Sequence, residues 1–239
     1  AGASNAGLKQ FDAAIDSYNK ALKLNPNHAQ THNNIGSALK EKGDLGASIE
    51  CYKQVLKINP NYAEAHYNMG IVLKNKGELG AAIDGFKQAL KINPNYAEAY
   101  NNMGNALIDK GEPEAAIDSY KKAIKIKPDY ADAYSNMGIA LSAKGDLEAA
   151  MDSYKKALKI KPDYAEAYNN MGNALGDEGD LDAALDSYNQ ALKINLNYAE
   201  AYNNRGVVLK DKGDLDAAVV SYKEALKINP DFAEAYNNM

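Results

Sequence analysis

Residues 97–130 read AEAYNNMGNALIDKGEPEAAIDSYKKAIKIKPDY, and this stretch decides the fold. Tyr100, Met103, Gly104 and Leu107 recur at helical spacing, and Ala116, Ile117, Tyr120, Ala123 and Ile124 repeat the rhythm after a break at Gly111 and Glu112. Two amphipathic helices follow, the first ended by Gly111 and the second started by an acid that accepts hydrogen bonds from open N–H groups. Pro113 fixes the phase, because a missing N–H at the first helical position leaves no bond unmade.

Outward from this stretch the same text recurs. Pro26, Pro60, Pro94, Pro128, Pro162 and Pro230 lie on one lattice of 34 residues, with Leu196 in the vacant site. Six units follow, 29–62, 63–96, 97–130, 131–164, 165–198 and 199–232. Residues 1–28 form a partial unit, mainly its second helix, and 233–239 begin a further first helix. Gly43, Gly77, Gly111, Gly145, Gly179 and Gly213 occupy the break in every unit. Residues 1–10 depart from the pattern, with Lys9 where the break glycine belongs, and read as an expression remnant or a degraded half-helix. The two ends fall at nearly the same phase, which points to a segment of a longer array. No stretch alternates as a strand does, so the class is all-α. A 34-residue helix pair cannot bury its apolar faces alone, so units must stack into an α-solenoid. Small residues for close packing are in place, Gly36 to Gly206 in the first helix and Ala82 to Ala218 in the second.

Composition narrows the function. The chain has 239 residues, 46% hydrophobic and 25% charged, with 27 Lys plus Arg against 32 Asp plus Glu and a net charge of −5. No global positive field draws nucleic acid, and Arg205 is the single arginine fork. No apolar run approaches the roughly 20 residues a bilayer requires, so no membrane insertion is expected. Cys51 alone closes no intramolecular disulfide and fits a reducing compartment such as the cytoplasm. It takes the place of Ser119, Ser153, Ser187 and Ser221, as a small-residue variant. His28 and His32 lack a third ligand, and no nucleophile with its base or phosphate-cradling loop is present, so neither metal, cofactor nor catalysis is expected.

The pattern resembles the tetratricopeptide repeat family, whose 34-residue unit carries an aromatic, Leu-Gly, an aromatic, then Ala, Phe and Pro. His32, His66, Tyr100, Tyr134, Tyr168 and Tyr202 take the first aromatic place, and Tyr52, Phe86, Tyr120, Tyr154, Tyr188 and Tyr222 the later one, while Leu39 and its counterparts replace the second aromatic. The resemblance implies a right-handed superhelix whose first helices line a concave groove that binds polypeptide.

On those first helices Asn34, Asn68, Asn102, Asn136, Asn170, Asn204 and Asn238 repeat without a gap, with second amides at Asn33, Asn101, Asn169 and Asn203. A carboxamide offers the donor and acceptor that an extended backbone needs. Helices packed about 8–10 Å apart would place one Asn per roughly three extended residues. The row is similar to the asparagine ladder in the repeat domain of O-linked N-acetylglucosamine transferases, which holds substrate polypeptide. The competing reading gives these amides to neighbouring helices. Glu64, Glu98, Asp132, Glu166 and Glu200 at the helix starts, and Asp109, Asp177 and Asp211 near the ends, favour a ligand with Lys or Arg, although first-turn acids also complement the helix dipole. Tyr67, Ile71, Ile139 and Val207 offer apolar landing points. Lys40, Lys74 and Lys210 read as solvated, and the row that would carry a carboxylate-gripping lysine holds Asn33, Tyr67, Asn101, Ser135, Asn169 and Asn203 instead. Arg205 replaces core-facing Ile35, Met69, Met103, Met137 and Met171, as a contact to a following unit or partner or as a snorkelling cation.

The expectation is a non-catalytic, peptide-binding interaction module. The alternatives are the substrate-recruiting arm of a glycosyltransferase-like enzyme and a scaffold that self-associates through open array ends.

Overall fold

The computed structural model describes residues 5–239, with side chains from Leu8 onward. Residues 1–4 of the atypical N-terminal stretch lie outside the described residues. The described chain forms fourteen α-helices and no strand: α1 Asn5–Leu24, α2 Ala29–Lys42, α3 Leu45–Ile58, α4 Ala63–Asn75, α5 Leu79–Ile92, α6 Ala97–Asp109 and α7 Pro113–Ile126, followed by α8 Ala131–Ala143, α9 Leu147–Ile160, α10 Ala165–Asp177, α11 Leu181–Ile194, α12 Ala199–Asp211, α13 Leu215–Ile228 and α14 Ala233–Asn238. α1 runs unbroken past Lys9, where a left-handed glycine would have ended a first helix.

The helices form two compact units, one up to Ile126 and the other Lys127–Met239. Within the first, α2, α4 and α6 each pack on the second helix of their own repeat, and α4 and α6 also pack on the two helices before them. Within the second, α10 packs on α8, α9 and α11, and α12 on α10, α11 and α13. Stacked helix-turn-helix repeats of this kind are an α-solenoid, as the periodicity requires.

The helix breaks follow from the sequence at single residues. Gly111 adopts φ +82°, a left-handed conformation that penalises any residue with a Cβ. Its N–H reaches Ile108 O and the next N–H, of Glu112, reaches Leu107 O, so the open carbonyls of α6 are used. Asp44, Asp146, Asp180 and Asp214 then cap the second helices, accepting from Ala47, Ala149, Ala183 and Ala217 N–H at 3.1–3.3 Å. Glu78 makes no such bond, its longer arm overreaching the first turn. Asp180→Ala is therefore expected to lower stability by about 1 kcal/mol, read as a fall in the urea midpoint, whereas Glu78→Ala should leave the midpoint nearly unmoved.

The turn back to the next repeat holds a feature the proline lattice hides. Asn59, Asn93, Asn195 and Asn229 each accept, through Oδ1, the backbone N–H two residues on, at 3.0–3.2 Å. In these four turns the asparagine closes the chain reversal, so the repeat with Leu196 in place of proline still makes it, while Lys127 and Lys161 stand at that place in the other two full-repeat turns and rely on the proline after them.

Packing inside a repeat centres on one aromatic over one glycine. Tyr52, Phe86, Tyr120, Tyr154, Tyr188 and Tyr222 are buried, and a Cβ on Gly172 would stand 2.7 Å from Tyr188 Cε1. Ala82, Ala116, Ala150, Ala184 and Ala218 are buried beside them, letting the second helices approach closely.

Candidate functional site

The first helices carry the two amide rows, and the structure treats them differently. Asn34, Asn68, Asn102, Asn136, Asn170, Asn204 and Asn238 are all half-buried, with part of each side chain at the surface. The second row turns inward: Asn33 and Asn169 are 1% exposed, Asn101 6% and Asn203 7%, and Ser135 is buried at the same register. An amide so placed spends its hydrogen bonds on the protein.

Those bonds join the rows across repeats. In the first unit Asn68 Nδ2 donates to Asn33 Oδ1 at 3.3 Å, and Asn102 Nδ2 donates to the Tyr67 hydroxyl at 2.8 Å. In the second, Asn204 Nδ2 donates to Asn169 Oδ1 at 3.2 Å and Asn238 Nδ2 to Asn203 Oδ1 at 3.0 Å. Each bond spans 35 residues, one repeat and one position. In these four the outer asparagine reaches back to the inner residue of the preceding repeat, which fixes its rotamer. Asn204 is more committed, giving a second N–H bond to Asn173 Oδ1 at 3.1 Å and accepting through its own Oδ1 from Asn203 Nδ2 at 3.4 Å.

Tyr67 belongs to the inner row. It accepts from Asn102, lies 4.7 Å from the Tyr96 ring centroid, and burial pushes its phenol pKa up, so it is a packing and anchoring residue with a limited apolar face to offer. Glu64 accepts from Asn33 Nδ2 at 2.9 Å, a tie between repeats added to its place in the first turn of α4. Lys74 is not simply solvated, since its Nζ stands 3.0 Å from Asp109 Oδ2. Arg205 bridges the flanking second helices, donating to Asn189 Oδ1 and Ser221 Oγ at 3.2 Å each over the Tyr202 ring, so its cation is held within the fold.

Beneath the outer row, hydroxyls of the buried tyrosines meet first-helix side chains 15 residues earlier. Tyr120 donates to Asn105 Oδ1 and Tyr188 to Asn173 Oδ1, both at 2.7 Å, and Tyr52 pairs with Ser37. Phe86 stands opposite Ile71, where no polar partner exists. Tyr222 stands opposite Val207, and its hydroxyl is buried without a partner.

Two cavities flank Asn204 in the second unit. One, of about 400 Å³, is walled by Asn173, Gly176, Asp177, Tyr188, Asn204 and Asp211. The other, of about 550 Å³, lies toward the helix starts among Tyr198, Glu200, Asn203, Asn204 and Glu234. Burial holds the Tyr198 phenol up at about 12, with Glu200 and Glu166 adding to the effect, so its O–H stays a donor. Among the described residues no three His, Cys, Asp or Glu side chains gather as a metal site would need, and no helix is long and apolar enough to cross a membrane.

Family comparison agrees with this geometry. A model described as TPR repeat matches residues 8–43, 36–77, 72–111, 104–145, 140–179 and 172–213, and one described as tetratricopeptide repeat matches 199–232. The chain belongs to the tetratricopeptide repeat family. Comparison with curated proteins gives no match. Among solved structures, a chain of the APC/C hetero-tetramer Cut9-Hcn1 is similar with a TM-score of 0.80 at 19% identity. The alignment covers 98% of this tetratricopeptide chain but only 46% of that one. MamA is 31% identical with a TM-score of 0.59, covering 70% of this chain and 97% of its own. YrrB, described as a TPR protein with an unusual peptide-binding site, is 25% identical with a TM-score of 0.58, covering 79% of this chain and 97% of its own. Tetratricopeptide repeats mediate protein–protein interactions, and that general role comes with the family.

Proposed function

We propose that this tetratricopeptide chain is a non-catalytic module that binds extended polypeptide along its first helices, each unit holding its own stretch. Asn34, Asn68 and Asn102 serve the first unit, and Asn136, Asn170 and Asn204 the second. The observation that carries the reading is the half-buried outer row, in which Asn68, Asn102 and Asn204 are fixed from behind by bonds such as that of Asn102 to Tyr67. A side chain already held in one rotamer gives up little entropy when it meets a peptide group, which favours binding through the backbone and tolerance of ligand sequence. Asn33, Asn101, Asn169 and Asn203 support that surface from within. The peptide-binding description of YrrB and the likeness of the row to the glycosyltransferase ladder support the same reading.

The test is a peptide-library binding assay on the native chain beside Asn102→Ala/Asn136→Ala/Asn170→Ala, with circular dichroism confirming equal helicity. The variant takes one amide from the first unit and two from the second, so at about 1 kcal/mol each binding should weaken roughly fivefold in the first and roughly 30-fold in the second. Tyr67→Phe removes the acceptor behind Asn102 without removing the outer amide, and should weaken binding only a few-fold. Equal binding by the triple variant, or none by the native chain, would overturn the reading and put a self-associating scaffold in first place.

A further inference from the structure

The repeats differ at one register position in a way that empties a site. The first unit has Lys40 and Lys74 there, and the last full repeat has Lys210, but Gly176 holds that place in α10. Lys40 pairs with its neighbour Glu41 and Lys210 donates to Asn238 O, but Lys74 shows a third use, its ammonium reaching forward 35 residues to Asp109 of the next repeat at 3.0 Å. The same step from Gly176 arrives at Asp211, and from Ser142 at Asp177. Neither carboxylate has an ion-pair partner among the described residues. The volume the lysine stem would fill is the 400 Å³ cavity, with Gly176 on its wall.

Glycine is a poor choice inside a helix, costing about 1 kcal/mol against alanine, and here the backbone does not require it. No positive φ occurs at Gly176, and an added Cβ would meet only Val208 Cγ2, at an ordinary 3.6 Å. The site therefore has the acid and the room of the Lys74–Asp109 pair and lacks the cation. Its other walls suit an alkyl stem: Val207 and Val208 are apolar, and the Tyr188 hydroxyl is tied to Asn173 and stays out of the way. Asn204 of the outer row borders the same cavity.

We propose that the cavity opened by Gly176 between Asp177 and Asp211 is a subsite for the cationic side chain of a lysine or arginine in the bound polypeptide. The proposal rests on the groove-binding reading, with Asn204 contacting the ligand backbone while the side chain enters beside it. The ligand supplies in trans the cation that Lys74 supplies in cis one unit earlier. Because both carboxylates are exposed, the attraction is screened by salt.

The closing experiment has two probes. Nα-acetyl-lysine N-methylamide and its norleucine counterpart, titrated at millimolar concentration into the full chain, are followed by NMR at the Gly176 amide and the Val207 and Val208 methyls. The lysine probe should give saturable shifts at least tenfold tighter than the norleucine probe, weakened by salt and abolished in Gly176→Lys and in Asp177→Asn/Asp211→Asn. Equal shifts from both probes, no shifts, or a lysine response surviving in Gly176→Lys would overturn the subsite. Alongside, alanine-serine nonapeptides carrying one central lysine or Nε-acetyl-lysine are compared by fluorescence anisotropy. If neither peptide binds while the small probe still saturates, the groove reading fails and the cation site stands. If both bind equally, the groove reading stands and the subsite fails.

Discussion

Tyr120→Ala is expected to destabilise its repeat by about 3–5 kcal/mol, the range for removing a buried aromatic from a core that relaxes only partly. Tyr120 is 1% exposed, and its ring lies against Gly104 so closely that a Cβ on that glycine would overlap it. No side chain on α6 can swing into the vacated space, because the position facing it has none. The hydroxyl matters less. Tyr120→Phe breaks one bond to Asn105 and should lower stability by only about 1 kcal/mol, since the half-buried amide can turn to water. Tyr120→Phe/Asn105→Ile recreates the natural Phe86–Ile71 pair and should recover most of that loss. Urea denaturation followed by circular dichroism reads the global effect, and hydrogen exchange reads its place. Nearest-neighbour coupling in a repeat stack means that α6 and α7 should open first. A Tyr120→Ala chain that loses less than about 1 kcal/mol would contradict the glycine–aromatic core.

Alkali should unfold this protein well before it unfolds a helical protein without buried phenols. Burial pushes the Tyr154 hydroxyl up to about 12, and it pushes Tyr52, Tyr120 and Tyr188 in the same direction. A tyrosine in the unfolded chain titrates near 10. The fold thus favours the protonated form, and its contribution is complete below about pH 10. As pH rises further, the unfolded chain releases protons that the folded chain retains. The contribution falls until the folded pKa is passed. For Tyr154 alone the loss near pH 11 is about 1.4 kcal/mol, one pH unit beyond the unfolded value. Thermal melts between about pH 8 and pH 12 should show a steep fall in midpoint above pH 10. Tyr154→Phe should narrow the gap between its own melts at the two ends of that range. A midpoint flat to pH 11 would show that these hydroxyls reach water in the folded state.

Much of this was legible in the chain itself, and the reason is repetition. One 34-residue text written six times shows Gly111 as a helix end, Pro113 as a helix start and Tyr120 as core, because each repeat is an independent copy of the same physical constraint. The all-α class, the break glycines, the aspartate caps and the unbroken asparagine row all came from that alignment of the chain with itself. The turn asparagines did not, because the prolines beside them offered a sufficient account and only the bond from Asn197 N–H to Asn195 Oδ1 shows which residue closes the turn.

The amides mark the boundary between the two kinds of knowledge. Sequence periodicity placed Asn33 and Asn34 side by side on one helix, where neighbours 100° apart on the surface look equally available. Stacking decided otherwise, burying Asn33 against Glu64 and Asn68 while leaving Asn34 half-buried. The same holds for Gly176, one more glycine among eighteen until the Lys74–Asp109 bridge shows what its register does elsewhere. Sequence by itself determined the repeat, the helices and the core, since these depend on spacing along one chain. The tertiary structure alone decided which amide is buried and which cavity is bordered by two carboxylates unpaired among the described residues, since these depend on side chains meeting those of the next repeat.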